Sequence, residues 1–327
     1  MQLTQKQLSS IVFGAHESVY ETDGVQFYRM PDELVNRFKK QDLSFYDTAR
    51  ATAGIYLDFY TDSEFFAFTY DDMQKSSSRT WCYFDLLING KLVASVGEDT
   101  PTKTEYEFST ALPAGENRIT LFFPNLYRAR LTQVTLSDGA TIRPVQKKRR
   151  ILFIGDSITH GYDTKRPSKS YANRISFQTD SEAVNLAVGG AFFDKDCIES
   201  LPNFSPDFII VAYGTNDWRK KTAFACLADC QEFFNKLCSI YPDKPIYYVL
   251  PIRRYLYCDT NSLKKSFTLI RNAYKEIATE YPSVKIIDLW DAIPDDPSLY
   301  SDGLHPNEQG FAYYADGVIK QLYFKEN

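Results

Sequence analysis

The spacing of apolar residues changes near residue 150 and divides the sequence into two parts that favour different folds. Beyond this point short apolar runs alternate with longer helical patterns, and the first run, residues 151–154, is apolar at every position. Such a strand is typical of the centre of a parallel sheet, because helices cover both of its faces. The second part is therefore predicted to be a doubly wound α/β layer, which binds ligands at the carboxyl ends of its strands.

Five parallel strands are predicted in this second part, with helices between them on both faces of the sheet. The strands are predicted at residues 151–154, 184–188, 208–212, 246–250 and 286–289. The helices are predicted at residues 170–178, 223–241, 262–281 and 306–322. A parallel sheet requires this alternation, because a crossover connection, usually a helix, must bring the chain back before the next strand can run in the same direction.

The first part is predicted to be an all-β sandwich of jelly-roll type. Short runs of alternating character recur there, separated by turn signals such as Asn89-Gly90 and Asp138-Gly139. Strands are predicted at residues 44–50, 54–60, 64–70, 80–88, 92–96, 104–108, 117–123 and 131–136. The predicted domains are residues 1–147 and 148–327, and the basic run 147–150 between them is predicted to be a solvated linker.

Charge and composition exclude several classes of function. A net charge of −5 provides no global field to attract nucleic acid or an anionic membrane. No segment approaches the roughly 20 apolar residues of a membrane span, and the first residues lack a signal-peptide pattern. We therefore expect a cytoplasmic protein, unless a signal segment has been removed from the chain. The six cysteines contain no CxxC pair, so we predict buried free thiols, with neither a metal nor disulfides. No cofactor is predicted. The oligomeric state is left open.

Residues suited to catalysis collect at the ends of the predicted strands. Ser157 follows the first strand in the tripeptide GDS, at the ligand-binding edge of the sheet. A serine hydroxyl needs a base, and the base needs a partner that fixes its tautomer. Among the three histidines we predict His305 as the base, because Asp302 precedes it by three residues across a turn. Paired glycines at 189–190 and Asn216 follow the next two strands, where N–H groups can face an oxyanion.

These four clusters resemble, in order and approximate spacing, the blocks of the SGNH (GDSL-like) hydrolase superfamily. The resemblance covers residues 149–322 and implies the SGNH fold, with Ser157 as nucleophile, His305 as base and Asp302 as its partner. It also implies an oxyanion hole made of the Ser157 N–H, the Gly190 N–H and the Asn216 amide. Gly190 is preferred to the glycine before it, because the family's glycine comes five residues after the asparagine of that block.

A β-sandwich ahead of an SGNH domain also resembles carbohydrate esterase family two and related bacterial acetyl esterases. This looser resemblance implies the removal of O-acetyl groups from oligo- or polysaccharides, with a small-molecule or oligosaccharide ester as the binding partner. Two alternatives stay open. One is a lipase or thioesterase that acts on longer acyl chains. The other is a carbohydrate-binding protein without catalysis, whose activity would not depend on Ser157.

Three residues near these clusters are candidates for substrate binding. Trp218 directly follows the third cluster and is placed to stack on a substrate ring, although packing beneath the loops explains it equally well. Tyr162 lies close to the first cluster, and packing is the more common role for such a residue. Arg253 follows the fourth strand, where it can reach a polar substrate or pair with surface acids.

Overall fold

The computed structural model describes residues 1–323, which form a two-sheet β-sandwich followed by an α/β layer. The end of the predicted second domain, residues 324–327, lies outside the described residues. Within residues 1–147 the strands are β1 (Val12–Phe13), β2 (Glu17–Glu21), β3 (Gly24–Tyr28), β4 (Tyr56–Thr61), β5 (Phe65–Lys75), β6 (Cys82–Ile88), β7 (Lys91–Glu98), β8 (Glu105–Ala111), β9 (Asn117–Phe122), β10 (Tyr127–Leu136) and β11 (Arg143–Pro144). Three helices accompany them in these residues, namely α1 (Gln5–Ile11), α2 (Asp32–Gln41) and α3 (Leu43–Ala49).

The strands of the first part pair in two antiparallel sheets. One sheet has the order β1-β4-β9-β6-β7 with β11 paired to β4, and the other has the order β2-β3-β10-β5-β8. From β3 to β10 the chain alternates between the sheets in the manner of a jelly roll, except at β6 and β7, which pair with each other in one sheet. Aromatic side chains from both sheets fill the space between them, among them Phe59, Phe68 and Phe84. The predicted sandwich is therefore confirmed.

Five parallel strands form the sheet of the second part. They are β12 (Arg149–Gly155), β13 (Ser181–Asn185), β14 (Phe208–Ala212), β15 (Ile246–Val249) and β16 (Val284–Ile287). The helices described here are α4 (Ser157–His160), α5 (Tyr171–Gln178), α6 (Asp217–Lys220), α7 (Ala223–Ile240), α8 (Asn261–Thr279) and α9 (Glu308–Tyr323). The strand order β13-β12-β14-β15-β16 reverses direction at β12, which creates a binding crevice at the carboxyl ends of β12 and β14. This confirms the predicted doubly wound fold.

Helices cover both faces of the parallel sheet. Phe234 of α7 and Tyr274 of α8 pack on one face, while Tyr171 of α5 and Phe311 of α9 pack on the other. Because residues 151–154 of β12 and all of β14 are buried on both faces, their side chains are apolar without alternation.

One predicted strand is wrong, since residues 44–50 lie almost entirely in helix α3. The Asp42 carboxylate accepts a hydrogen bond from the Ser44 N–H and caps this helix. Phe45 and Ala49 are both buried, at the four-residue spacing of a helical face. The aromatic pair at 45–46 favours a strand by propensity, but the cap and the helical periodicity prevail. The other seven predicted strands correspond to β4–β10.

Helices α2 and α3 pack against the parallel sheet although they belong to the first part of the chain. Leu34 and Phe45 lie in the same apolar cluster as Leu186 and Val188, which follow β13. The two parts therefore share a core beside the paired glycines at 189–190. The predicted domain boundary, between residues 147 and 148, lies in the short connection from β11 to β12.

The basic run at 147–150 is solvated only in part, since Lys148 and Arg150 are exposed whereas the Lys147 side chain is buried. The Lys147 ammonium lies 2.5 Å from a carboxylate oxygen of Asp58 on β4, and both side chains are buried. Arg118 makes a second ion pair with the same carboxylate, at 2.7 Å. A buried charge requires a partner of this kind, because its desolvation is otherwise costly.

Candidate active site

Ser157 stands at the first residue of α4, directly after the central strand β12. The turn into the helix requires Gly155, since a Cβ there would lie 2.2 Å from the Thr159 hydroxyl and 2.9 Å from the Ala212 carbonyl oxygen. The Asp156 side chain caps the helix by accepting a hydrogen bond from the Ile158 N–H at 3.0 Å. The first N–H groups of a helix have no carbonyl partner within it. The Ser157 N–H is therefore available as a donor next to its own hydroxyl.

The structure brings Ser157, His305 and Asp302 together in a continuous chain of hydrogen bonds. His305 Nε2 lies 2.8 Å from Ser157 Oγ, and His305 Nδ1 lies 2.8 Å from Asp302 Oδ2. The other oxygen of Asp302 accepts the backbone N–H groups of Leu304 at 3.0 Å and His305 at 2.9 Å. These two bonds fix the carboxylate against the imidazole. A hydroxyl, a base and an orienting carboxylate in this order can carry out nucleophilic acyl transfer.

A second carboxylate and an arginine, neither of them predicted, complete the surroundings of the imidazole. Asp163 Oδ2 lies 3.2 Å from His305 Nδ1, and the Asp163 side chain is only 5% exposed. Arg79, between β5 and β6 of the sandwich, donates to both oxygens of Asp163 at 2.6 and 2.7 Å. It also donates to Asp302 Oδ2 at 3.2 Å. Asp163 follows the GDS tripeptide by six residues and could have been noticed as a carboxylate near the serine, whereas nothing in the sequence connects Arg79 with this site.

These charges shift the protonation of the site. Burial disfavours the charged imidazole, but hydrogen bonds to Asp163 and Asp302 outweigh this effect and raise the pKa of His305 to about 9. Burial raises the pKa of both carboxyl groups. Hydrogen bonds from Arg79 and His305 nevertheless keep the pKa of Asp163 below its usual range. Hydrogen bonds from His305 likewise lower the pKa of Asp302 despite its partial burial.

The predicted oxyanion residues lie on two loops that touch each other. Gly190 has a φ of +84°, a left-handed conformation that favours glycine. The Val188 N–H donates to the Gly155 carbonyl oxygen at 3.0 Å, which places this loop beside the turn that carries Ser157. Asn216 Nδ2 donates to the Ala191 carbonyl oxygen at 2.9 Å. Because an amide carries two hydrogens, this bond holds the Asn216 side chain and leaves the second hydrogen for another acceptor.

Of the three predicted substrate-binding residues, Tyr162 lies against His305. Its ring stacks on that of His305, with centroids 5.6 Å apart and planes inclined by 26°. Arg79 covers the tyrosine ring at 5.5 Å from the centroid. Tyr162 therefore supports the imidazole as well as bordering the site.

Trp218 and Arg253 have other contacts. The Trp218 indole donates to the Ser266 hydroxyl of α8 at 3.1 Å and packs against Phe267, with ring centroids 5.2 Å apart. Arg253 makes an ion pair with the exposed Asp291 at 3.2 Å, which corresponds to the alternative that it pairs with surface acids, and it also donates to backbone oxygens of Trp290 and Ile293. Their roles in substrate binding stay predictions.

A polar cavity of about 440 Å³ borders Tyr162 and Gly189. Most of its wall comes from the first part of the chain, through Ser44, Asp47 and Thr48 of α3 and through residues 75–78 at the end of β5 and beyond. Three consecutive serines at 76–78 line this wall. The cavity offers hydrogen-bond donors and acceptors beside Tyr162, whose ring stacks on that of His305.

Among the described residues, Asp163, Asp302 and His305 form a group whose ligand atoms lie within 4.8 Å of one another, as at a metal site. Arg79 already neutralises both carboxylates, and a cation at the same place would meet its positive charge. The donor set is thus better suited to orienting an imidazole than to holding a metal ion.

Residues 153–313 match the model of the GDSL-like lipase/acylhydrolase family. The chain carries an SGNH hydrolase domain. It is a carboxylic ester hydrolase, with the sandwich-plus-SGNH arrangement that the sequence predicted. No curated protein sequence matches the chain significantly. In residues 1–323 no helix is long and apolar enough to cross a membrane.

Solved structures share the fold over nearly the whole chain. Salicylyl-acyltransferase SsfX3 from a tetracycline biosynthetic pathway is 18% identical with a TM-score of 0.83, over 100% of this chain and 97% of that one. A putative GDSL-like lipase from Bacteroides ovatus is 19% identical with a TM-score of 0.76, over 99% and 98% of the two chains. A family two carbohydrate esterase from Clostridium thermocellum, in complex with cellohexaose, is 14% identical with a TM-score of 0.70, over 96% and 98%. At these identities the likeness establishes the fold.

Proposed function

We propose that this protein hydrolyses carboxylic esters through an acyl-enzyme on Ser157 and that its substrates are O-acetylated oligo- or polysaccharides. The observation that carries the catalytic part is the chain of hydrogen bonds from Ser157 Oγ through His305 to Asp302, each 2.8 Å long. It lies at the carboxyl edge of the parallel sheet, where doubly wound folds bind their ligands.

In the first step, Ser157 Oγ attacks the ester carbonyl carbon while His305 Nε2 takes the hydroxyl proton. The Nδ1–H of the ring faces Asp302, which holds the tautomer and favours the imidazolium that forms. His305 then gives the proton to the departing alcohol oxygen. Water attacks the acyl-enzyme by the same route, releasing the acid and restoring the serine.

The tetrahedral oxyanion is held by the N–H groups of Ser157 and Gly190 and by the amide of Asn216. Preorganised donors of this kind stabilise charge that develops only in the transition state. The Asn216 amide suits this role because its bond to the Ala191 carbonyl fixes the side chain before substrate arrives.

The proposed substrate class rests on the cavity beside Tyr162, the residue whose ring stacks on that of His305. A cavity lined mainly by serine, threonine, aspartate and lysine residues can exchange hydrogen bonds with a sugar. Structures similar to this one include the family two carbohydrate esterase with cellohexaose and an acetyl xylan esterase from Butyrivibrio proteoclasticus, which is 16% identical with a TM-score of 0.61.

The test is a hydrolysis panel that compares p-nitrophenyl esters from acetate to octanoate with acetylated xylo- and manno-oligosaccharides. We expect acetate to be the best aryl ester and acetate to be released from the oligosaccharides. Ser157→Ala should abolish both reactions, and a serine-reactive phosphonate should label the wild type alone. A Ser157→Ala variant that hydrolyses these esters as fast as the wild type would reject Ser157 as the nucleophile, whereas a wild type that releases no acid and takes no label would leave only the non-catalytic alternative.

Longer acyl chains are the second candidate, and an apolar groove favours them. A space of about 600 Å³ lies between α7 and α8, bordered by Trp218, Leu227 and Leu269. Such a groove suits an acyl chain better than a sugar. A clear preference for octanoate over acetate in the same panel would establish this candidate and reject the proposed acetyl specificity.

A further inference from the structure

His305 Nδ1 faces two carboxylates, whereas an orienting partner requires only one. Asp302 Oδ2 lies 2.8 Å from this nitrogen and Asp163 Oδ2 lies 3.2 Å from it. The more distant carboxylate is the more buried of the two, with 5% of the Asp163 side chain exposed against 36% for Asp302. Asp163 adopts a φ of +64°, which is uncommon for a residue with a side chain and shows that its surroundings hold it in place.

Two carboxylates this close repel each other unless a cation lies between them. Arg79 meets this need, since its guanidinium makes two hydrogen bonds to Asp163 and a third to Asp302. The Arg79 guanidinium also lies over the ring of Tyr162, and this ring stacks on that of His305. The arginine belongs to the sandwich, so the first part of the chain reaches the catalytic histidine through a charge.

We propose that Asp163 and Arg79 are positioning residues of this active site, in which Asp163 is a second acceptor for the Nδ1–H of His305 and Arg79 holds both acceptors in place. The proposal rests on the roles proposed above for Ser157 and His305. It assigns the sandwich a part in catalysis through a residue that does not touch the reacting atoms.

With two acceptors, the imidazole keeps its tautomer when either one is lost. The Asp302→Asn variant should therefore lose much less activity than the factor on the order of 10⁴ that follows removal of a sole triad carboxylate. We expect a loss below about 10² for Asp302→Asn and below about 10-fold for Asp163→Asn, with the double variant approaching the order of 10⁴. If the two carboxylates substitute for each other, Asp163→Asn should reduce activity by a far larger factor in the Asp302→Asn background than in the wild type.

The pH profile distinguishes this positioning role from a purely structural one. Asp302, Asp163 and Arg79 are the charged groups that face His305 from its own loop, from the segment after α4 and from the sandwich, and buried Asp156 adds a weaker influence. Removing one nearby negative charge lowers the pKa of the imidazole. The acid limb of kcat/KM should thus move to lower pH by about one pH unit in each single Asp→Asn variant. Asparagine has the shape of aspartate, so folding is preserved.

Arg79 is tested by charge and by shape. Arg79→Gln should lower kcat for p-nitrophenyl acetate by about 10-fold or more with little change in KM, because the loss acts through His305 and leaves binding intact. Arg79→Lys should recover part of that loss, since it restores the charge. Arg143→Gln is the matched control, because it removes an arginine of the sandwich whose ion pair, with Glu116, is exposed. Thermal unfolding of each variant checks that the fold is retained.

Two results would overturn the proposal. One is a full 10⁴-scale loss in Asp302→Asn together with an Asp163→Asn effect that is small and equal in both backgrounds. The other is an Arg79→Gln variant that matches Arg143→Gln in kcat and in pH profile. Either can occur while Ser157→Ala remains inactive, in which case the proposed function stands. If Ser157→Ala is fully active, the proposed function fails, and this inference fails with it.

Discussion

The charges around His305 predict an alkaline pH dependence of ester hydrolysis. The buried ring is 8% exposed, and its Nδ1 faces the carboxylates of Asp163 and Asp302. Burial opposes the charged form, but the two hydrogen bonds outweigh it and raise the pKa of His305 to about 9. Only the neutral imidazole can take the Ser157 proton, so the acid limb of kcat/KM should lie near pH 9 instead of at the ordinary histidine value of about 6.5.

The size of the effect follows from the titration of one group. With a pKa of about 9, about 1% of the imidazole is neutral at pH 7 and about 10% at pH 8. The rate constant kcat/KM should therefore rise close to tenfold per pH unit from about pH 6 to 8 and level off above about pH 9. The free energy of unfolding has the opposite pH dependence, because His305 binds this proton more tightly in the folded state than in the unfolded chain. That stabilisation is complete below about pH 6.5 and is lost as the pH rises through about 9.

The assay is kcat/KM for p-nitrophenyl acetate across this range, corrected for alkaline hydrolysis with the Ser157→Ala variant as the blank. A stability control at each pH separates loss of fold from loss of base. A profile already level at pH 7, with a midpoint near about 6.5, would refute the reasoning. It would mean that the two carboxylates do not act on His305 in solution as their distances imply.

Three further predictions concern donors, packing and specificity. Asn216→Ala should lower kcat by about 10²–10³ with little change in KM, as measured with p-nitrophenyl acetate. Gly189→Ala would place a methyl group 2.6 Å from ring carbons of Tyr162. Displacement of that ring against the imidazole should lower kcat by a factor on the order of 10². A near-normal kcat would contradict the stacking argument. Asp47→Asn and Ser77→Ala should each raise KM about tenfold for an acetylated oligosaccharide while KM for p-nitrophenyl acetate stays constant, and equal changes on both substrates would exclude the cavity as the sugar site.

The fold of the second part could be predicted because its signals are local. Runs such as residues 208–212 are apolar throughout, and the structure has β14 at the same residues. The secondary structure of the first part is harder to predict. Helices α2 and α3 contain aromatic residues, which favour strands, although the spacing of their apolar residues favours helices. For residues 44–50 the decisive facts were the Asp42 cap and the burial of Phe45 against the parallel sheet. That burial is a tertiary contact, which sequence periodicity alone does not reveal.

The distinction between local signals and tertiary contacts also applies to the residues of the site. Ser157 and the pair Asp302 and His305 could be predicted because each lies in a short motif whose chemistry is specific. Asp163 lies close to Ser157 in sequence, but its orientation toward the imidazole depends on an unusual backbone angle. Arg79 could not be predicted, since its distance from Asp302 in sequence is bridged only by the docking of the two parts of the chain.

A buried arginine explains how that docking holds the loop that carries Gly190. Arg29 follows β3 of the sandwich and is 1% exposed. Its guanidinium donates to the Thr48 and Ala51 carbonyl oxygens on one side and to the Asn185 and Ala187 carbonyl oxygens on the other. Burial lowers its pKa to about 9, and a buried charge is tolerated only where its hydrogen bonds are made. Separation of the two parts would break these bonds just ahead of Gly190, and it would also remove Arg79 from His305. The sandwich is therefore a structural component of the proposed catalytic centre.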